Sequence, residues 1–181
     1  MRPVHDDSLI TTTLDSTSPF PHISKSIILS TVRNEAGPTI YSIFNDPVDT
    51  SSYTTIVHSS LGEPRASNLL SSPYYHVPGG PTADARVQLE KMGTDQVWRC
   101  ATWTFARNWI QHGGKAFVGR YTVGATYPDN SDIPFCSEDG VVCHEDDIKI
   151  VVRDFIDFPS PLLMPRHSLA QSRILLSASL P

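Results

Sequence analysis

"KSIILSTVRNEAGPTIYSIF", residues 25–44, decides the fold class. Its first eight residues form a short apolar run of mainly β-branched side chains with polar boundaries, the pattern of a strand covered on both faces as in a parallel sheet. The run stops at "RNEAGP", where Gly37 allows a tight turn. Pro38 suits the first position of a helix "PTIYSIF", since the N–H it lacks would have no intrahelical partner there. Further on, "TDQVWRCATWTFARNWIQHGG" predicts a long amphipathic helix with Thr94 at its cap and Gly113 at its stop. Trp98, Ala101, Phe105 and Trp109 recur on it at three- and four-residue spacings. "KAFVGRYTVG" (115–124) then alternates with period two and predicts a second strand. Strand, helical insert, long helix and strand in that order give an α/β class.

The segments between and around these elements are less regular. Residues 1–24 are rich in Ser, Thr, Asp and Pro and read as a surface connection entering the first strand. Residues 45–81 read as loop or lid material with one short helix near "TSSYTTIVHSSLG". A helix follows at 83–92, capped by Thr82 and ended by Gly93. From Val151 the composition turns Pro-, Ser- and Leu-rich and loses its period after Phe158, so 151–181 is read as an irregular, disordered tail.

Composition narrows the partners. A chain of 181 residues that is 39% hydrophobic can bury a core as one domain. A net charge of −5 and a pI near 5.7, without clustered Lys and Arg, argue against nucleic acid and anionic membrane surfaces. The longest apolar runs fall far short of the roughly 20 residues of a membrane span. "MRPVHDDSLITTT" lacks the apolar core of a secretory signal, so the chain is either cytosolic or has lost its true start.

Chemistry concentrates in "DGVVCHEDDI", residues 139–148, where Cys143 and His144 precede three carboxylates. Cys136 and Cys143 flank a Gly-containing turn and are close enough to bridge, with two free buried thiols as the alternative. A zinc site from Cys136, Cys143, His144 and Asp146 matches the usual C-x(2–4)-C spacing poorly. Asp146 and Asp147 read as solvated or capping residues, and the aromatic group Trp98, Trp103, Phe105 and Trp109 reads as core. In open α/β sheets functional groups gather at the carboxyl ends of strands. Glu35 follows the first strand and His144 lies in the loop after the second, in the acid-then-base order of an α/β-hydrolase triad.

The motifs "ILSTVRNEAGPTIYSIF", "DQVWRCATWTFARNW", "GKAFVGRYTVGATYPDN" and "VVCHEDDI", in this order, resemble the C-terminal part of a type-B carboxylesterase. That is the cholinesterase-like branch of the α/β-hydrolases, and the likeness is nearest to its fungal members. The resemblance covers residues 1–150 and implies a partial fold, the C-terminal third of an α/β-hydrolase, with an incomplete sheet and flanking helices. Glu35 in "VRNEAG" matches the family's triad acid and His144 in "VCHEDD" its triad base. The implied activity is hydrolysis of carboxylic esters through a serine acyl-enzyme, with no metal or organic cofactor. In secreted relatives Cys136 and Cys143 would bridge, leaving Cys100 without its family partner.

Two parts of that machinery do not occur in the sequence. No two glycines stand four positions apart, so there is no G-x-S-x-G elbow to carry the nucleophile, and the oxyanion-hole glycines of the family have no counterpart here. The chain alone is expected to be inactive and, with unpaired strands, prone to aggregate. The match fades near Ile150, the pattern of a shifted reading frame or retained intron, which transcript sequence running in frame through codons 145–181 would contradict. The alternative function is a non-catalytic remnant that acts as an interaction module.

Overall fold

Strand β1 (Ser26–Val32) and strand β2 (Lys115–Tyr121) pair in parallel. The register runs from Ser26 opposite Lys115 to Val32 opposite Tyr121, so both strands end at the same edge. These facts come from a computed structural model that describes residues 24–151. The readings of residues 1–23 and of the tail beyond Val151 lie outside the described residues. The architecture is mixed helix and sheet, and among the described residues the sheet is a small parallel pair of strands.

Between the strands run α1 (Gly37–Ile43), α2 (Thr50–Leu61), α3 (Arg65–Leu70), α4 (Arg86–Gly93) and α5 (Cys100–Gln111). Pro38 takes the first turn of α1, where its missing N–H has no consequence. Asp49 caps α2 by accepting a hydrogen bond from Ser52 N at 2.7 Å. A four-residue helix, α6 (Ile148–Val151), closes the described chain.

Three sequence expectations need correction. The helix placed at 83–92 begins at Arg86, and Ala85 rather than Thr82 precedes it, with no side-chain cap. Gly93 does not end it: a π-helical turn, Thr94–Arg99, carries the chain straight into α5. Gly93 is small for another reason, because a Cβ there would lie 2.8 Å from the Ala36 Cβ. The second strand ends at Tyr121 rather than at residue 124.

The principal core also lies elsewhere than the sequence suggests. The segment read as loop or lid supplies Val48, Tyr53, Val57, Ala66 and Val77, which pack with Ala85, Leu89 and Met92 of the following segment. Tyr53 and Val57 stand four apart on α2 and so share one face. The aromatic face of α5 contributes less: its buried positions are Ala106 and Asn108, and Trp103 is 38% exposed. Helix α5 covers one face of the sheet. On the other, the register partners Ile28 and Phe117 are 82% and 46% exposed.

Candidate active site

The site forms where the loop after β2 returns to the turn after β1. Asn34 N donates to Val142 O at 2.9 Å, and Val142 N donates to Asn34 Oδ1 at 3.2 Å. Arg33 Nη1 adds a 2.6 Å hydrogen bond to Gly140 O. These bonds act as a short parallel bridge, which lays residues 140–144 along residues 33–36. Glu35 and His144 face each other across it, although more than a hundred residues separate them.

Glu35 is buried, with 6% of its side chain exposed, whereas the His144 side chain is 49% exposed. Glu35 Oε1 accepts from Val32 N at 2.7 Å, which holds the carboxylate back over the strand end. Its Oε2 lies 2.6 Å from His144 Nδ1. A carboxylate only accepts hydrogen bonds, so Nδ1 carries the proton and Nε2 keeps its lone pair. The hydrogen bond to Glu35 raises the His144 pKa above the ordinary 6.5. Partial burial opposes the shift, while the charges of Glu35, Glu145 and Asp147 reinforce it. Trp98 flanks the imidazole, with ring centroids 5.6 Å apart and planes tilted by 52°.

Cys136 and Cys143 form a disulfide, so neither sulfur is free as a thiolate ligand, and among the described residues no three His, Cys, Asp or Glu side chains converge as a metal would require. The bond closes a loop of about eight residues, worth about 2.5 kcal/mol in the chain-entropy picture. It sits against the turn on the Glu35 side. A Cβ on Gly37 would lie 3.0 Å from Cys143 Sγ and 2.8 Å from Phe135 Cε1, and Phe135 in turn stacks on Tyr41 of α1 at 3.9 Å. The third cysteine, Cys100, is free and exposed.

Several positioning residues escaped the sequence reading. Asp146, read as solvated or capping, is buried and anchors the loop through backbone N–H groups. Its Oδ2 accepts from Cys143 N at 2.7 Å, and its Oδ1 from Tyr127 N at 2.8 Å and Asn130 Nδ2 at 3.0 Å. Asn130 Nδ2 also donates to His144 O at 2.7 Å, so the same pair of side chains grips the backbone on both sides of the histidine. Glu145 between them adopts φ 74°. Asp147 is partly buried, and desolvation, aided by the charge of Glu35, raises its pKa.

Behind Glu35 stands a second buried carboxyl group. Thr94, read from sequence as a helix cap, donates its hydroxyl to Glu90 Oε1 at 2.7 Å and accepts from Ala36 N at 3.0 Å. The residue after the acid is thereby tied to the long helix. Burial raises the Glu90 pKa, against the hydrogen bonds from Thr94 and Asn34 that lower it. A Glu four residues before a Thr on one helix face was a visible signal, but only the fold brings Ala36 to it.

Comparison with protein-family models and with curated proteins returns no match for this chain.

Proposed function

We propose that Glu35 and His144 are the acid and base of a serine-type carboxylic-ester hydrolase, within the C-terminal part of an α/β-hydrolase domain. The observation that carries this reading is the 2.6 Å contact between Glu35 Oε2 and His144 Nδ1, at the shared end of two parallel strands. With Nδ1 pinned, Nε2 takes the proton of an attacking hydroxyl and later returns it to the leaving alcohol. Glu35 holds the tautomer and stabilises the imidazolium formed on the way.

This pair is half a machine. With no G-x-S-x-G in the sequence, turnover requires a nucleophile elbow and oxyanion donors from additional polypeptide. The chain alone should hydrolyse p-nitrophenyl esters no faster than an equal concentration of imidazole. Joined to an upstream esterase segment bearing the elbow, it should turn over. That turnover should collapse in His144→Ala and fall substantially in Glu35→Gln. Esterase activity in the bare chain that survives His144→Ala would overturn the proposal. The exposure of Ile28 and Phe117 on one sheet face favours a second reading, a non-catalytic module that binds another protein. Stable capture of a partner by a chain that no added elbow can activate would favour it.

A further inference from the structure

On the face of the sheet covered by α5, an open cleft of about 210 Å3 lies between the helix and the ends of the strands. Thr31 of β1, Arg120 of β2, and Arg99, Thr102 and Trp103 of the helical rod line it. Neither Glu35 nor His144 does, so the cleft is separate from the acid–base pair. Its charge is unbalanced. Arg99 pairs with Asp95 through Nη1 and donates from Nη2 to Arg33 O, while its buried Nε has no hydrogen-bond partner. Arg120 forms no ion pair or hydrogen bond among the described residues, and Asp95 attracts it only from beyond contact distance. Desolvation, followed by repulsion from Arg99 and Arg33, depresses its pKa. Arg33 spends its own guanidinium hydrogen bond on a neutral carbonyl, Gly140 O. Two guanidinium groups thus line the cleft, Arg33 stands close enough to repel Arg120, and only Asp95 forms an ion pair with any of the three, in a protein whose net charge is −5.

Arg99 is part-buried with an unmet Nε donor and Arg120 stands exposed beside it, and guanidinium donors in a fixed fork suit planar or tetrahedral oxyanions. We propose that this cleft binds a small oxyanion, a carboxylate or phosphate group, between Arg120 and Arg99, with the hydroxyls of Thr31 and Thr102 as further donors. The cleft is smaller than the roughly 300–1,000 Å3 of pockets that enclose drug-sized ligands, which suits a compact anion. The site stands whether or not Glu35 and His144 are catalytic.

Equilibrium dialysis of radiolabelled inorganic phosphate against the full chain tests this and tolerates self-association; a parallel arm uses labelled malonate, and both run at constant ionic strength in chloride. Saturable binding with a dissociation constant of about 1 mM or tighter is expected for at least one probe. Phosphate alone would assign a tetrahedral ligand, malonate alone a planar one, and both a site open to either. Arg120→Gln, an exposed position without partners to lose, should weaken binding about tenfold, as befits loss of a charge-assisted contact. Thr102→Val should weaken it less, and Arg107→Gln, an exposed arginine of α5 outside the cleft, should leave it unchanged. No saturable binding of either probe, or equal losses in Arg107→Gln and Arg120→Gln, would overturn the proposal.

Discussion

Asp146→Asn changes one atom type at a position that is 2% exposed. The asparagine can keep Oδ1 where Tyr127 N and Asn130 Nδ2 now donate, at 2.8 and 3.0 Å, although without the strength a charge lends. The other oxygen becomes an NH2 group that meets the Cys143 N–H, which now donates at 2.7 Å, and two donors then face each other in a buried place. A hydrogen bond to a charged group is worth about 1.5–3 kcal/mol, and a buried donor left unmet costs about 1–3 kcal/mol. These overlap, so the local opening free energy of the histidine loop should fall by about 2–4 kcal/mol. Hydrogen exchange read by mass spectrometry on peptides spanning 125–148 measures it directly, since exchange reports local opening as well as global unfolding. The Cys136–Cys143 disulfide should confine the loss while oxidised, and reduction should add to it. Unchanged protection at Tyr127 and Cys143, within the about 0.5 kcal/mol of an ordinary surface substitution, would refute the assignment of Asp146 as the loop's anchor.

Two further outcomes follow from burial. Because burial raises the Glu90 pKa above the ordinary 4.5, the unfolded chain ionises first, and wild type should lose stability relative to Glu90→Gln as pH rises from 4.5 through the folded value. Denaturant titrations of both proteins at several pH values check this, and a gap that stays constant across that window would contradict it. Replacing Ile28 and Phe117, which are 82% and 46% exposed on the sheet face opposite α5, by serine should reduce self-association in sedimentation velocity without loss of helical circular dichroism. Equal association of variant and wild type would place the sticky surface elsewhere.

The strand and helix of residues 25–44 were legible because their signals act locally: a β-branched run, and a proline whose fixed φ and missing N–H suit the first turn of a helix. Gly37, read as a turn residue, is instead the first residue of α1 and is small because Phe135 and Cys143 leave no room for a Cβ. The core of residues 48–77 was not, since Val48, Tyr53, Val57, Ala66 and Val77 are single apolar residues scattered among Ser and Thr. Only the partner surface of α4 turns them into a cluster. Gly93 misled because a helix stop and a close helix crossing both need the same small residue, and distinguishing them requires the position of Ala36. The aromatic spacing on α5 gave its helical period correctly and its burial wrongly. An amphipathic pattern identifies which side chains share a face, while what covers that face is settled by other elements. Glu35 stood out as an acid just past β1 and His144 as a base in the loop that follows β2. Their contact depends on the parallel register of β1 and β2 and on the Asn34–Val142 bridge, which local sequence does not encode.

The functional reading turns on which nitrogen of His144 holds the proton. Long-range 1H–15N correlation spectra of the 15N-histidine-labelled chain, recorded across a pH titration with wild type and Glu35→Gln, read both the tautomer and the direction of the pKa shift. With Glu35 accepting from Nδ1 at 2.6 Å, neutral His144 should be the Nδ1–H tautomer. Its titration should centre above 6.5, and Glu35→Gln should lower that midpoint and move the proton toward Nε2, since the glutamine amide donates where the carboxylate accepted. An Nε2–H tautomer in wild type, with a midpoint that Glu35→Gln does not move, would contradict the pairing on which the proposed acid–base chemistry depends.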